Sequence, residues 1–332
     1  LKAAADEPWQ RAIAEFLERW WDASDAMEVK TSGSTGAPQT LRHTKAAMRQ
    51  SAERTIAFFG LAQGTTAGLA MPVHFIGGMM MLVRAEVGRW NLTAVPPTAT
   101  PHYGRSDLDF VALTPPQAQA WQQAHPNEWS GCRTLLLGGG PVPSTWLSGL
   151  GGQAPAVFEG FGMTETVSHF AVRQLHPMRQ THFQCLPGFS VSADAQGALC
   201  VTPPVGQTLT TRDAVDVRDP HAFRWEGRLD DAVNSGGIKI HPAAVEEALS
   251  AIIEGPFACY GEPHERWGQA LVLRIHAEQA PSDAEAQTLA LLDWAKSNLP
   301  AHHAPKRVEW GPLDKTWTGK WKRPQPRHEA NN

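Results

Sequence analysis

What this chain lacks narrows its class first. Its 332 residues contain no run of 18 apolar residues, so no membrane-spanning helix is expected, and the Leu1–Asp6 start has no basic-then-apolar layout of a signal peptide. No basic excess exists: the net charge is −4, which argues against a nucleic-acid or membrane-surface binder. The four cysteines (Cys132, Cys185, Cys200, Cys259) form no C-x-x-C pair, so buried thiols in a reducing cytoplasm are expected instead of a disulfide framework. No Ser-His-Asp set is evident. The histidines show no ligand spacing either: His302 and His303 are adjacent and point apart in any helix or strand, and His264 sits in a surface-loop sequence, so no metal site is expected among them. What remains is an ordinary globular composition, 42% hydrophobic and 19% charged, long enough for one large domain and one smaller one.

Periodicity outlines both domains. Asp6-Glu7-Pro8 starts a helix with Trp9, Ile13, Phe16, Leu17, Trp20 and Trp21 on one face. Glu28–Lys30 leads into a hydroxyl- and glycine-rich loop at Thr31–Pro38. Thr44 caps a second helix whose face is Met48, Ala52, Ile56 and Phe59, and Gly60 stops it. Apolar strand-like stretches follow at 69–71, 110–113, 134–137 and 156–158, separated by helical or loop segments, which is an α/β pattern. From about Val191 to Arg224 short alternating runs broken by Gly and Pro predict a small β subdomain. A boundary near 227/228 sets off a compact α+β unit. Its signals are a helix over 242–252 with Val245, Leu249 and Ile252 on one face, a strand through Leu271, Leu273 and Ile275, and a Ser282/Glu285 capping box for a helix reaching Asn298.

The loop Thr31-Ser32-Gly33-Ser34-Thr35-Gly36 offers hydroxyl donors and closely approachable backbone N–H groups to an anion, but it has no Gly-Lys-Ser/Thr ending and is not a Walker A loop. Alone it reads as a polar turn. With Pro38 it resembles the Thr-Ser-Gly-Ser/Thr-Thr-Gly-x-Pro-Lys signature of the adenylate-forming superfamily, which includes acyl-CoA synthetases, peptide-synthetase adenylation domains and luciferases. The resemblance continues in family order. Gly138-Gly139-Gly140 resembles the adenine-side glycine loop, and Phe161-Gly162-Met163-Thr164-Glu165-Thr166 the aromatic-Gly-x-Thr-Glu core. Thr211-x-Asp213 resembles Thr-Gly-Asp, and Gly227-Arg228-Leu229-Asp230-Asp231 with Ser235-Gly236-Gly237-Ile238-Lys239-Ile240 the hinge and the loop beyond it. Thr318-Gly319-Lys320 with Arg323 resembles the C-terminal Gly-Lys-x-x-Arg. Short motifs are permissive singly; six in order are not.

The resemblance implies an adenylate-forming fold with a shortened N-terminal domain (1–227) and a mobile C-terminal domain (228–332). It also implies an ATP-dependent reaction in two halves, in which a carboxylate attacks the α-phosphate and expels pyrophosphate, and CoA then displaces AMP. ATP, Mg²⁺ and CoA are the implied cofactor and co-substrates, with a small carboxylic acid as partner. By the same match Glu165 holds Mg²⁺, Thr164 and the Thr31–Gly36 loop hold phosphates, and Gly138–Gly140 with Gly162 border the nucleotide. Phe161 stacks on adenine, Asp213 takes the ribose hydroxyls with Arg228 nearby, and Lys320 brings charge to the α-phosphate. Asp230 is the implied hinge between an adenylating and a thioester-forming orientation, and Gly236-Gly237 pass beside the pantetheine arm.

Within the superfamily the chain resembles the short bacterial o-succinylbenzoate–CoA ligases of menaquinone synthesis through Leu69–Ala85, through Gly162–His169, and through the roughly thirty residues that precede the phosphate loop. The branch implies Arg84 for a spectator carboxylate, with His169 and Phe75 lining the same pocket. Against this, Arg84 could cap a helix or pair with Glu86, and Met79–Met81 read as core. Four positions depart from the family pattern. Gln39 stands for a lysine, with Arg42 or Lys45 as compensation; Phe161 stands for a tyrosine, Arg212 for a glycine and Asp314 for a proline. The rivals are a ligase for another aryl or acyl acid, an enzyme loading a carrier-protein thiol, and a non-catalytic nucleotide binder.

Overall fold

Helix caps and stops act where the sequence signals put them in the first turns of the chain. In the computed structural model, which describes residues 6–30, 39–315 and 321–324, α1 (Pro8–Trp20) begins at Pro8, and the Glu7 N–H donates to Gln10 Oε1 at 3.1 Å. Phe16 and Trp20 are buried and stack with ring centroids 6.0 Å apart. Trp21 lies past the helix end and is 60% exposed, so it leaves the expected apolar face. β1 (Ala26–Lys30) pairs antiparallel with β2 (Thr40–Thr44), Lys30 opposite Thr40. The hydroxyl-rich loop Thr31–Gly36 lies between them, outside the described residues. Thr44 Oγ1 accepts from the Ala47 N–H at 3.1 Å and opens α2 (Lys45–Phe59). Gly60, with φ +62°, ends it with its N–H on Ala57 O while Leu61 N–H reaches Ile56 O.

By contacts the chain divides into two units. The first comprises Leu1–Val142, Gly149–Ser190 and Thr202–Gln207. It is built on β3 (Thr66–Leu69), α3 (Ile76–Gly88), β4 (Asn91–Ala94), β5 (Phe110–Leu113), α4 (Pro115–Ala124), α5 (Pro126–Gly131) and β6 (Thr134–Leu137). Short α6 (Ser144–Ser148) groups with the second unit, and β7 (Ala156–Gly162), β8 (His169–His176) and β9 (Phe183–Cys185) complete the first. Its strands run in the order β9-β8-β7-β6-β5-β3-β4, parallel from β7 to β4 and antiparallel at β8 and β9. The central parallel strands are apolar and buried along nearly their whole length, as covered sheets require, and β5 is buried at every residue. α3 is buried along most of its length, and Met79, Met80 and Met81 are core.

The second unit comprises Pro143–Ser148, Val191–Val201 and Thr208–Asn332. β10 (Ser190–Ala193), β11 (Ala198–Thr202), β12 (Leu209–Asp219) and β13 (Ala222–Arg228) are consecutive neighbours and form the small β layer. These strands group by contact with the C-terminal residues, whereas the sequence signals place the division at 227/228. After a 3₁₀ turn at Leu229–Asp231 come β14 (Val233–Ser235), β15 (Ile238–Ile240), α7 (Pro242–Leu249), β16 (Phe257–His264), β17 (Gly268–His276), α8 (Ala284–Asn298) and β18 (Arg307–Gly311). Their sheet order is β15-β14-β17-β16, with β18 parallel to β17, over a core of Ile240, Val245, Leu249, Leu271 and Leu273.

Two local expectations fail here. α7 stops at Leu249, so Ile252 turns outward at 39% exposure and Ile253 takes the core place at 7%. α8 has Asp283 at its N-cap with no side-chain cap bond, so the Ser282/Glu285 box is not formed. Of the cysteines, Cys132 and Cys259 are buried, while Cys185 and Cys200 are half-exposed, and none is in a disulfide. Among the described residues no helix is long and apolar enough to cross a membrane.

Because one hydroxyl closes the start of α2, Thr44→Ala is expected to cost about 1 kcal/mol. Thr44→Asp should cost far less. Urea midpoints compare the two, and equal loss in both would remove the cap from the account.

Candidate functional site

Strand β7 ends at Gly162, where the chain must turn tightly. A Cβ there would lie 2.2 Å from the Ser168 carbonyl oxygen and 2.4 Å from His169 Cα, so the glycine is compelled by packing. The chain then forms the 3₁₀ turn Thr164–Thr166. Thr166 closes it: Oγ1 accepts from the Met163 N–H at 3.0 Å and donates to Ser168 O at 2.7 Å. Val167 follows at φ +69°, a conformation β-branched residues rarely adopt, and such strain concentrates at working turns. The result presents Glu165 to solvent.

His43 on β2 reaches this turn, its Nε2 donating to Thr164 O at 2.7 Å. Burial lowers the His43 pKa from its ordinary 6.5, and the Thr164 bond and the Glu165 charge only partly oppose it. His43 thus ties the strand after the hydroxyl loop to the Thr-Glu turn, and sequence reading missed it. Its only signal is the alternation of Thr40–Thr44. Neither proposed substitute for the Gln39 charge is idle: Lys45 Nζ sits 2.8 Å from Asp22 and Arg42 3.3 Å from Asp25.

Gly138–Gly140 follow β6 at the carboxyl edge of the parallel strands, where open α/β sheets bind ligands. Gly139 has φ +86°, and Cβ atoms added at Gly138 or Gly140 would meet nothing within 4 Å, so this edge is open. Phe161, half-buried, packs edge-on against Phe170 and Phe183 at 5.8 and 5.2 Å.

Arg84 lies inside α3 and is 2% exposed. Its Nη2 donates to Ser168 Oγ at 2.9 Å and toward His169 Nδ1 at 3.4 Å; its Nε is buried with no hydrogen-bond partner among the described residues. Among the described residues no carboxylate is within ion-pair reach, because Glu86 pairs instead with Arg49 at 3.0 Å. This excludes both the cap and the Glu86 pairing as the fate of Arg84. Burial lowers its pKa from 12.5 to about 10, so it stays charged at neutral pH. His169 Nε2 lies 3.3 Å from Thr55 Oγ1, which donates to Ser51 O. An arginine can only donate, so His169 Nδ1 accepts and Nε2 carries the proton toward Thr55. Phe75 stands at the N-cap of α3, about 13 Å along the axis from Arg84. Ser168 and Thr55 escaped the sequence reading because only tertiary packing brings them to Arg84 and His169.

In the second unit, Asp213 Oδ1 accepts from Trp225 Nε1 at 3.0 Å and lies 3.8 Å from Arg228 Nη1; Oδ2 carries no hydrogen bond among the described residues. Arg212 grips Asp230, whose other oxygen is 3.5 Å from Arg228. The Arg212 hydrogen bond holds the Asp230 carboxyl below the usual carboxylate range. Gly236 and Gly237 make the two-residue β14–β15 turn with φ +59° and +83°, which itself demands glycine. Arg323 donates to both Glu246 oxygens (2.6 and 3.1 Å), to Asp231 Oδ2 (3.2 Å) and to Cys259 O. Lys320 lies outside the described residues, as do Thr31–Gly36.

Burial, with the Arg84 charge beside it, drives the His169 pKa well below 6.5. The unfolded chain takes up this proton near pH 6.5 and the folded chain does not. The stabilising contribution is therefore complete above pH 6.5 and is lost as pH falls below it, by up to about 1.4 kcal/mol per pH unit. His169→Gln should flatten the stability–pH slope between about pH 5 and 6.5. A slope equal to wild type in urea unfolding would contradict a neutral buried His169.

Comparisons with known proteins bear on the family and the fold. Residues 7–221 match the family described as AMP-binding enzyme. A 2-succinylbenzoate–CoA ligase of Listeria monocytogenes is 24% identical over 325 residues, spanning 89% of this chain and 68% of that protein. The crystal structure of an acyl-CoA synthetase (AMP-forming)/AMP-acid ligase II-like protein from Dyadobacter fermentans is 34% identical with a TM-score of 0.64, covering 96% of this chain and 93% of that one. The o-succinylbenzoate CoA synthetase of Bacillus subtilis, in complex with ATP and magnesium ion, superposes at 20% identity with a TM-score of 0.73, over 88% of this chain and 68% of that one. The expected adenylate-forming fold is thereby established, the chain belongs to the AMP-binding enzyme family, and it is an acid–thiol ligase of the AMP-forming kind.

Proposed function

We propose that the acid is o-succinylbenzoate, an aromatic acid with two carboxylates of which one is activated. One observation supports this above the others: among the described residues Arg84 is a buried cation whose Nε has no hydrogen-bond partner and which no carboxylate neutralises. A buried charge is costly until an anion meets it, and a guanidinium fork suits a carboxylate. The spectator carboxylate of the diacid answers Arg84, with Ser168 and His169 holding the guanidinium in place. Phe75 packs farther along α3, toward the ring. The likeness to the Listeria ligase points the same way.

The chemistry has two halves. The reacting carboxylate attacks the α-phosphorus of ATP, the bond to the β-phosphate breaks, and pyrophosphate leaves. The CoA sulfur then attacks the acyl carbonyl and AMP leaves. The residues carry these steps by positioning and charge. Thr31, Ser32, Gly33, Ser34, Thr35 and Gly36 cradle phosphates, assisted by Thr164, whose turn His43 fixes. Gly138–Gly140, Gly162 and Phe161 border adenine, and Asp213 with Arg228 takes the ribose. Glu165 fits Mg²⁺, since it is a solvent-facing hard oxygen donor in the middle of a hydrogen-bonded turn, and the ion would neutralise phosphate charge there. Lys320 serves adenylation, Asp230 is the hinge of a C-terminal domain beginning at 228, and Gly236-Gly237 serve the thiol step. On this reading the enzyme works in the cytoplasm, where ATP and CoA are at hand, as a step of menaquinone synthesis.

Pyrophosphate release across a panel of carboxylic acids tests the substrate. The diacid should exceed its monoacid analogue lacking the spectator carboxylate by about 100-fold or more in kcat/KM, the size of a well-made charge-assisted contact. Parity between the two, or a monoacid as best substrate, would contradict the proposal.

Arg84→Met should raise the diacid KM while raising thermal stability, since replacing buried ions by hydrophobic residues of like volume commonly gains about 1–4 kcal/mol. A lower Tm with KM unchanged would make Arg84 a structural ion instead.

Lys320→Ala should abolish pyrophosphate release yet spare CoA transfer from pre-made acyl-AMP. Equal loss of both would end that division of labour.

A further inference from the structure

Outside the nucleotide and acid residues, the fold of the first unit gathers a cluster that spacing in the sequence does not reveal. His102 comes from the segment between β4 and β5, His125 from the junction of α4 and α5, and Glu128 from the first turn of α5. One potential ligand atom from each lies within 4.8 Å of the other two. The expectation that the histidines assemble no metal site rested on spacing along the chain, and folding brings these three groups close together.

The carboxylate is prepared. Glu128 is buried, and its Oε2 accepts from the Tyr103 N–H at 3.0 Å and from Trp121 Nε1 at 2.9 Å. Its Oε1 accepts from the Gly104 N–H at 2.7 Å and faces His102 Nδ1 at 2.8 Å. Four donors therefore fix its orientation, and outer hydrogen bonds of this kind orient metal ligands. Three of them come from backbone or from the buried Trp121; only the fourth, His102, is an exposed side chain, at 63%. The two imidazoles stack at 4.3 Å with an 18° tilt, which brings the His125 ring alongside the one that faces Oε1.

We infer that His102, His125 and Glu128 form a site for a zinc-like divalent cation, held by two imidazole nitrogens and one carboxylate oxygen. The ion would sit between His102 Nδ1 and Glu128 Oε1, which now face each other directly. Tetrahedral ligation with bonds near 2.0–2.1 Å sets neighbouring donors about 3.3 Å apart. His102 must therefore back away by roughly half an ångström and the stacked rings must tilt toward a common point, which an exposed side chain can do. Two nitrogens among three donors favour zinc, cobalt or nickel over magnesium, so this site is distinct from the Mg²⁺ chemistry of the reaction. Its exposure leaves a fourth position for water.

The place of the cluster assigns its role. His102 precedes β5, and α5 precedes β6, so the cluster stands at the amino edge of the parallel strands, whereas Gly138–Gly140 follow β6 at the carboxyl edge. Bound metal would clamp the 102–104 segment to the α4–α5 junction, and its effect is on stability and not on the chemical step.

The test uses the full chain stripped of metal by chelation, and compares wild type, His102→Ala, His125→Ala and a His302→Ala/His303→Ala control. Zinc is titrated against a chromophoric competitor, and Tm is followed with and without zinc. Wild type and control should bind one equivalent that each single variant binds at least about 100-fold more weakly, the upper range seen for loss of outer-shell partners alone. Zinc should raise the Tm of wild type and control only. Cobalt in place of zinc should give the visible absorption of a four- or five-coordinate ion in the same two proteins. His102 is exposed, so its loss spares the fold. Zinc uptake equal in wild type and in both single variants, or lost only in the His302/His303 control, would overturn the assignment. So would no uptake at all.

Discussion

A positive charge locked inside the first unit organises this account. Arg84 sits on a helix buried along most of its length, its two side-chain hydrogen bonds are to neutral groups, and its Nε has no partner among the described residues. A protein rarely keeps such a group for stability, because removing a cation from water costs several kcal/mol that hydroxyl and imidazole partners only partly offset. The charge is tolerable because Ser168 and a neutral His169 fix the guanidinium, and because Thr55 and Ser51 fix His169 in turn. Each link forces the next: a protonated His169 would set two cations together, so burial and charge both keep it neutral.

The same economy governs the Thr-Glu turn. Gly162 is compelled by the Ser168 and His169 backbone, Thr166 closes the turn, and Val167 absorbs the strain. One short stretch of chain therefore ends in Glu165 on its solvent side and in Ser168 and His169 on its buried side. The exposed carboxylate of Glu165 and the partners of the buried Arg84 lie within four residues of each other. On the proposed function, that proximity would couple nucleotide and acid recognition without a long relay. In the second unit, Arg323 plays the anchoring part, joining the residues just after Lys320 to Glu246 and Asp231.

Local signals were legible wherever a residue's effect is confined to its own turn. Thr44 and Gly60 bound α2 as their chemistry dictates, and the uninterrupted apolar runs at 110–113 and 134–137 are strands with those very limits. Motif order disclosed the family, whereas the burial of Arg84 is visible only in the fold. Legibility failed where distant parts of the chain decide. Ile252 and Ile253 are interchangeable by pattern, and only the packing under α7 selects Ile253. Ser282 and Glu285 have the box composition, yet the helix begins one turn residue later, behind Asp283. His43, Thr55 and Ser168 are ordinary polar residues until β2, α2 and β8 meet, and His102 and His125 are brought together only by the return of α4.

The most direct measurement is a crystal structure with a non-hydrolysable acyl-adenylate analogue of the diacid. The account predicts the distal carboxylate at about 2.7–2.9 Å from Arg84 nitrogens, including the now partnerless Nε. A distal carboxylate directed to solvent or to another cation, with Arg84 Nε still unpaired, would contradict it.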